Sequence, residues 1–169
     1  MSDKRLFFAL WPDHRQRERL RDLIGPVVKT IEGRTIDRRN WHITLAYMGE
    51  FPERRIPELL ERVSTIHVEP FRVTFDRVEF WARQRIACLA AATVPQEMQQ
   101  LVNHLNGVLL DEGIDVEERV FRPHMTLVRN ARPFETERLT QRVSLEWSGF
   151  ELLESLREPG GVSYRIANI

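Results

Sequence analysis

The stretch His-Ile-Thr-Leu at residues 42–45 recurs with one change as His-Met-Thr-Leu at residues 124–127. Side chains alternate across a β-strand, so the histidine and threonine of each copy would share one face and the two apolar residues the other. The apolar face would pack against helices, leaving an imidazole and a hydroxyl on the opposite side. Two copies therefore predict two corresponding strands, one in each of two similar lobes.

Strand-like and helix-like segments alternate around both copies. Strands are expected at residues 5–11, 34–49 (one strand or two, ended by Gly49), 71–81, 85–93, 124–130, 144–158 and 161–169. Helices are expected at residues 14–31, 52–66 and 93–114, with helical character at residues 132–143. This order predicts an α+β chain, with residues 1–169 forming a single domain built from two lobes.

Composition excludes several classes of protein. An apolar content of 42% excludes a disordered chain, and the lack of a long uncharged apolar run excludes a membrane span. The 25 basic and 25 acidic residues cancel, which argues against a protein that follows long stretches of nucleic acid. The apolar run near the start is interpreted as a first strand rather than a signal peptide. Cys88 is expected to be a buried small hydrophobic residue, and the protein to be cytoplasmic.

Two histidines that meet in one cleft would suit phosphodiester cleavage without a metal. The ordinary pKa of imidazole is about 6.5, so near neutrality one ring can act as base and the other as acid. The hydroxyls of Thr44 and Thr126 can donate hydrogen bonds to phosphate oxygens. A histidine on a strand is otherwise a hydrogen-bonded core residue, and it is the doubled motif that favours catalysis by His42 and His124. Two histidines alone supply too few ligands for zinc, so no metal site is predicted.

These residues resemble the two-histidine phosphoesterase superfamily, which is defined by a pair of His-x-Thr/Ser motifs. Within it, the chain is most similar to the RNA 2',3'-cyclic phosphodiesterases, also called 2'-5' RNA ligases. The resemblance runs over nearly the whole chain. It includes RLFFAL, NWHITLAYMGE, FRPHMTLVR and a closing S-x-L-x-x-x-G-G-x-x-Y segment that spans residues 155–164.

The resemblance implies a bilobal α+β fold with a cleft between two antiparallel sheets, and no metal or nucleotide cofactor. It also implies a reaction in which a 2',3'-cyclic phosphate at an RNA 3' end is opened to a 2'-phosphate, with slow 2'-5' ligation in some members. By this likeness His42 protonates the leaving 3' oxygen and His124 activates water. The residues themselves indicate a pair and do not say which one is the acid.

Three further residues are candidates for substrate binding. Arg122 precedes Pro123, which favours an extended backbone, so its side chain would share the face of His124 and could meet a phosphate; it could equally be a surface arginine. Arg129 matches an arginine common in the family's second motif, but strict alternation places it on the opposite face unless a twist or bulge intervenes. Phe7 could stack on a base, although core packing is the simpler fate. The four tryptophans are interpreted as lobe packing.

Three functions remain open at this point. The first is hydrolysis of the cyclic phosphate at an RNA 3' end, whether on a tRNA-like or another oligoribonucleotide, by a monomer. The second keeps the chemistry but acts on a small nucleotide-derived cyclic phosphate. The third is a nucleotide- or RNA-binding module with little turnover, which would not need two proton-transfer groups.

Overall fold

The computed structural model describes residues 2–167, and within them nine strands and three α-helices form. The strands are β1 (Asp3–Leu10), β2 (Arg34–Thr35), β3 (Ile43–Pro52), β4 (Phe71–Trp81), β5 (Ile86–Ala91), β6 (His124–Arg129), β7 (Glu137–Trp147), β8 (Glu151–Glu158) and β9 (Gly161–Ile166). The helices are α1 (His14–Val28), α2 (Ile56–Ser64) and α3 (Gln96–Asp111). Short 3-10 helices cover Arg38–Asn40 and Glu53–Arg55.

The strands form two antiparallel sheets. The first has the order β3-β1-β8-β9 and the second the order β2-β6-β5-β4-β7. Every pairing between neighbouring strands is antiparallel. The predicted α+β fold with two antiparallel sheets is confirmed, and each sheet contains one of the repeated motifs.

The two lobes are not successive halves of the chain, as the order of the motifs had suggested. Strands β8 and β9 return to the first sheet, and β2 joins the second sheet beside β6. The return has a physical reason, because β1 is a buried strand that needs hydrogen-bonding partners on both sides. Strand β3 supplies one partner and β8 the other.

The apolar residues of both motifs lie in the main hydrophobic core. Ile43, Met125 and Leu127 are fully buried and Leu45 nearly so. Helix α3 lies against β3, and α1 lies against β7 of the other sheet. The expected split is therefore observed: the apolar side of each motif strand packs into the core, and its histidine and threonine are only half-buried.

Helix α1 starts with a complete capping box. The Asp13 carboxylate accepts a hydrogen bond from the Gln16 backbone N–H at 2.8 Å, and the Gln16 side chain accepts one from the Asp13 N–H at 2.9 Å. The helix includes Pro26 and ends at Val28, a few residues before the predicted end. No helix within residues 2–167 is long and apolar enough to cross a membrane.

Two element predictions are wrong. Residues 132–143 were expected to be helical, but they contain a loop and the first part of β7. Glu137 and Arg138 pair with Val78 and Arg77, because β4 offers this segment a free edge for pairing. Gly49 does not end β3, which continues to Pro52 in pairing with β1. The last predicted strand extends to residue 169, and its final two residues lie outside the described part.

An extra residue interrupts the strand pairing directly after each His-x-Thr motif. Along β6, Thr126 pairs with Cys88 and Val128 pairs with Ala87, so Leu127 is the additional residue of a β-bulge. Along β3, Thr44 pairs with Ala9 and Ala46 with Phe8, which makes Leu45 the additional residue. The same bulge thus follows both His-x-Thr motifs, and it changes which later residues face the side of the histidines.

A close backbone approach at Gly33 holds the start of β2 against the end of β6. A Cβ atom at Gly33 would lie 2.7 Å from Val128 Cγ1 and 2.8 Å from the Arg129 carbonyl oxygen, and its φ of +148° is unfavourable for other residues. Gly25 in α1 has nothing within 4 Å of the equivalent position.

We therefore expect Gly33→Ala to lower the free energy of unfolding by about 1–3 kcal/mol, because backbone strain and overpacking add. The matched variant Gly25→Ala should raise it by about 0.5–1 kcal/mol through better helix propensity. Urea unfolding followed by circular dichroism measures both values. Equal stabilities for the two variants would contradict the close approach at Gly33.

Candidate active site

The two motifs meet where the sheets adjoin. Strands β3 and β6 contact each other, although they belong to different sheets. His42 and His124 are close enough for the charge of His124 to lower the pKa of His42. Thr44 and Thr126 lie on the same sides of their strands as the two imidazoles, both half-buried. The structure thus brings two His-Thr pairs to one cleft.

Both imidazoles are held in the same way. The Nδ1 atom of His42 lies 2.8 Å from the Asn40 carbonyl oxygen, and Nδ1 of His124 lies 2.9 Å from the Arg122 carbonyl oxygen. A carbonyl only accepts hydrogen bonds, so each Nδ1 carries a proton and donates it. This leaves Nε2 of each ring as the atom that gains or loses a proton. In His42, Nε2 lies 3.2 Å from the Thr44 hydroxyl, which donates to it while the ring is neutral.

Burial keeps His42 neutral. It lowers the pKa of His42 from 6.5 to about 4, since the charged ring would lose much of its hydration. The hydrogen bond to Asn40 opposes this change, and the positive charges of Arg129 and His124 add to it. At neutral pH the Nε2 atom of His42 is therefore unprotonated and accepts the hydrogen bond from Thr44.

His124 lies among aromatic and charged side chains of the second sheet. Its ring centroid is 4.3 Å from that of Trp81, whose Nε1 donates to Glu79 at 2.8 Å. Arg122 stacks over Trp81 at 4.7 Å and pairs with Glu79 at 2.9 Å. Burial lowers the pKa of His124 as well, and the nearby Arg122 charge contributes to the decrease. Arg122 thus shares the face of His124, with its charge partly balanced by Glu79.

The bulge at Leu127 turns Arg129 toward the cleft. Thr126 pairs with Cys88 and Arg129 with Ile86, and these two partners share one face of the regular strand β5. Arg129 therefore lies on the same face as Thr126, contrary to strict alternation within β6. Its effect on the pKa of His42 is consistent with a position in the cleft.

Phe7 is placed differently from the stacking position considered above. It is only 3% exposed, and its ring lies 5.0 Å from His42 and 5.3 Å from Tyr164 between centroids. A base can stack only on an exposed ring face, so Phe7 is not available to one. Its contact instead supports the His42 ring, which also packs edge-on against Tyr164 at 4.7 Å.

Several neighbours of the histidines were missed from sequence. Trp81 and Trp11 were assigned to lobe packing, yet Trp81 contacts His124 and Trp11 lies 6.3 Å from His42 between ring centroids. Glu79 and Tyr164 had no assigned role. No local pattern marks Glu79 or the two tryptophans, and the closing segment that ends at Tyr164 does not say that this ring packs on His42. The pairing of Glu79 with Cys88, and of Cys88 with Thr126, is what places Glu79 beside the second motif.

Cys88 lies beside Thr126 on the neighbouring strand of the second sheet. It is fully buried, and burial raises the pKa of its thiol to about 12, so it stays protonated and unreactive. Its predicted role as a small buried residue is confirmed. Within residues 2–167 no three His, Cys, Asp or Glu side chains lie together as metal ligands would.

Comparisons with known proteins agree with this arrangement. The family model described as the 2'-5' RNA ligase superfamily matches residues 12–154. An Escherichia coli protein named RNA 2',3'-cyclic phosphodiesterase is 30% identical over 128 residues, which is 76% of this chain and 73% of that protein. An Archaeoglobus fulgidus protein of the same name is 26% identical over 95% of this chain and 96% of its own.

The fold is also that of a solved structure. The crystal structure of E. coli LigT complexed with 3'-AMP superimposes with a TM-score of 0.87 at 28% sequence identity, covering 97% of this chain and 95% of LigT. The family match spans most of the chain, including both His-x-Thr motifs. The chain belongs to the 2'-5' RNA ligase superfamily.

Proposed function

We propose that the protein opens the 2',3'-cyclic phosphate at an RNA 3' end and leaves a 2'-phosphate. The observation that carries this proposal is the pair of imidazoles on adjoining strands, each with Nδ1 fixed by a carbonyl and Nε2 free to exchange a proton. The relatives named RNA 2',3'-cyclic phosphodiesterase support the same reaction. The proposed unit is a monomeric, single two-lobed domain acting in the cytoplasm.

In the proposed reaction, Nε2 of His124 takes a proton from water as the water oxygen attacks phosphorus. The bond between phosphorus and the ribose 3' oxygen breaks, and protonated Nε2 of His42 gives its proton to that oxygen. The product has a 2'-phosphate and a free 3' hydroxyl. This assignment of acid and base follows the family resemblance. If an RNA 5' hydroxyl attacked in place of water, the same steps would give a 2'-5' bond and a free 3' hydroxyl.

A bound phosphate would supply the negative charge that His42 needs to become protonated. His42 must be protonated to act as an acid, but burial and the Arg129 charge keep its pKa at about 4. A phosphodiester anion beside Arg129 would offset that positive charge and favour the imidazolium. Arg129, Thr44 and Thr126 would donate to the non-bridging oxygens, where negative charge must be stabilised during the transfer. The charge of the substrate thus favours the protonated form of His42 that acts as the acid.

Removing either imidazole should abolish most turnover. We expect His42→Ala and His124→Ala each to lower kcat by about 10²- to 10⁴-fold, because each removes one positioned proton transfer. RNA binding should be largely retained. His104→Ala, which changes an exposed histidine on α3, is the matched control and should keep the wild-type rate. The measurement follows an oligoribonucleotide ending in a 2',3'-cyclic phosphate, in EDTA, and identifies the product isomer.

Three results would contradict this function or its mechanism. Wild-type rates in both single variants would show that the histidines are not the proton-transfer groups. A requirement for added divalent metal would contradict catalysis by these side chains alone. Opening of a free cyclic nucleotide without opening of the RNA end would favour a small-molecule substrate instead.

The pH dependence should reflect the lowered pKa values of both histidines. The value of kcat/KM reports the free enzyme, so it should be greatest below pH 6.5. It should fall at higher pH as both rings become neutral, and toward pH 4 as both become charged. The optimum of kcat should lie at higher pH than that of kcat/KM, because bound phosphate raises the pKa of His42.

Replacing Arg129 should move the acidic side of this profile. Arg129→Gln removes a charge that lowers the pKa of His42, so the acidic limb of kcat/KM should shift to higher pH while its maximum decreases. Arg132→Gln is the control, since Arg132 is exposed and pairs with Glu32 at 3.0 Å. An acidic limb that stays in place in Arg129→Gln would show that Arg129 does not act on His42.

A further inference from the structure

We propose that Tyr47 and Arg5 form a binding subsite for the nucleotide that precedes the cyclic-phosphate nucleotide in an RNA strand. The Tyr47 ring would stack on the base of that nucleotide, and the Arg5 guanidinium would contact an adjacent backbone phosphate. This inference rests on the proposed function, because it extends the same cleft. Such a subsite would make the enzyme selective for an RNA end over a free cyclic nucleotide.

The bulge at Leu45 places Tyr47 on the cleft side of the first sheet. Tyr47 pairs with Phe7 and Thr44 pairs with Ala9, and these two partners share one face of β1. Tyr47 is thus the counterpart of Arg129 in the other lobe, on the same face as Thr44. Two pairing steps separate Thr44 from Tyr47, which is about 7 Å along the strand. A nucleotide next to the reacting one would reach this distance.

Tyr47 is more exposed than the other aromatic rings near the histidines. It is 52% exposed, whereas Phe7 is 3% exposed. In the part of the chain that is described, no other Phe, Tyr or Trp belongs to the exposed class. Unpaired bases are commonly bound by stacking on such rings, and the contact tolerates different bases.

Arg5 holds the Tyr47 ring by a hydrogen bond and has further N–H groups that can donate to a phosphate. Its Nε donates to the Tyr47 hydroxyl at 2.7 Å, which leaves both terminal nitrogens free of that contact. Glu50 lies opposite Arg5 in the register and its charge adds to the Tyr47 hydrogen bond in raising the pKa of Arg5, but no ion pair within 4.0 Å joins them. An exposed guanidinium bonded to a neutral phenol keeps its full charge for a phosphate.

The second sheet offers a poorer binding surface than the first for the rest of the RNA strand. On its cleft side, Arg77 contacts Asp76 at 3.0 Å and Arg122 contacts Glu79 at 2.9 Å. A phosphate there would have to compete with carboxylates already in place. The charges therefore favour a path for the RNA across the first sheet, over Tyr47 and Arg5.

The test compares kcat/KM for a dinucleotide ending in a 2',3'-cyclic phosphate with kcat/KM for adenosine 2',3'-cyclic phosphate. The wild type should prefer the dinucleotide, and Tyr47→Ala should lower the ratio of the two values by about 5- to 100-fold through lost stacking. Tyr47→Phe keeps the ring and should retain most of the ratio. Arg5→Gln should lower the ratio and weaken its dependence on salt. Arg72→Ala is the charge-matched control, since Arg72 pairs with Glu146 far from the motifs.

The outcomes separate the subsite from the reaction itself. If the wild type opens neither substrate, the proposed function fails. If it opens both without preference, or if Tyr47→Ala keeps the wild-type ratio, the subsite is wrong while the reaction stands. A ratio that falls equally in Arg72→Ala would also overturn the subsite, because any loss of positive charge would then have the same effect.

Discussion

The site depends on the extra residue that directly follows each His-x-Thr motif. A regular strand would place Arg129 and Tyr47 on the core faces of their sheets, where a guanidinium and a phenol would have to be buried. The bulges at Leu127 and Leu45 keep two consecutive residues in the core and turn the next one to the cleft. In each lobe the same backbone device therefore presents a histidine, a threonine and one further side chain. The lobes use the last position differently, with a cation in one and an aromatic ring in the other.

Burial of the histidines has a cost that the substrate offsets. Aromatic rings surround both imidazoles: Phe7 and Tyr164 pack against His42, and Trp81 packs against His124. These contacts hold the rings in place, but they also disfavour the imidazolium and lower both pKa values. Because Nδ1 of each ring is already committed to a carbonyl, the proton that matters is on Nε2. Charge on the bound phosphate is then the natural source of the missing stabilisation, and the two rings are expected to titrate as a coupled pair.

Much of this arrangement could be predicted from sequence. The rest depends on pairing between strands that are distant in the chain. The repeated His-x-Thr-Leu predicted two matching strands with apolar residues inward, and the order of elements predicted an α+β fold with two lobes. The return of β8 and β9 to the first sheet could not be read locally, since it depends on which strand edges are free. The position of Arg129 required the pairing of β6 with β5, because a bulge leaves no mark in composition. Trp81 and Tyr164 reach the histidines from strands far away in the chain.

We infer that two neutral, Nδ1-protonated histidines become an acid and base pair when a phosphate binds. Nitrogen-15 NMR of the imidazole rings at pH 7, without ligand and then with adenosine 2'-phosphate, tests it most directly. We expect His42 and His124 both to be neutral Nδ1–H tautomers in the free protein, and His42 to become charged at Nε2 when the ligand binds. Two rings that stay neutral with the ligand bound, or a ring with its neutral proton on Nε2, would contradict it.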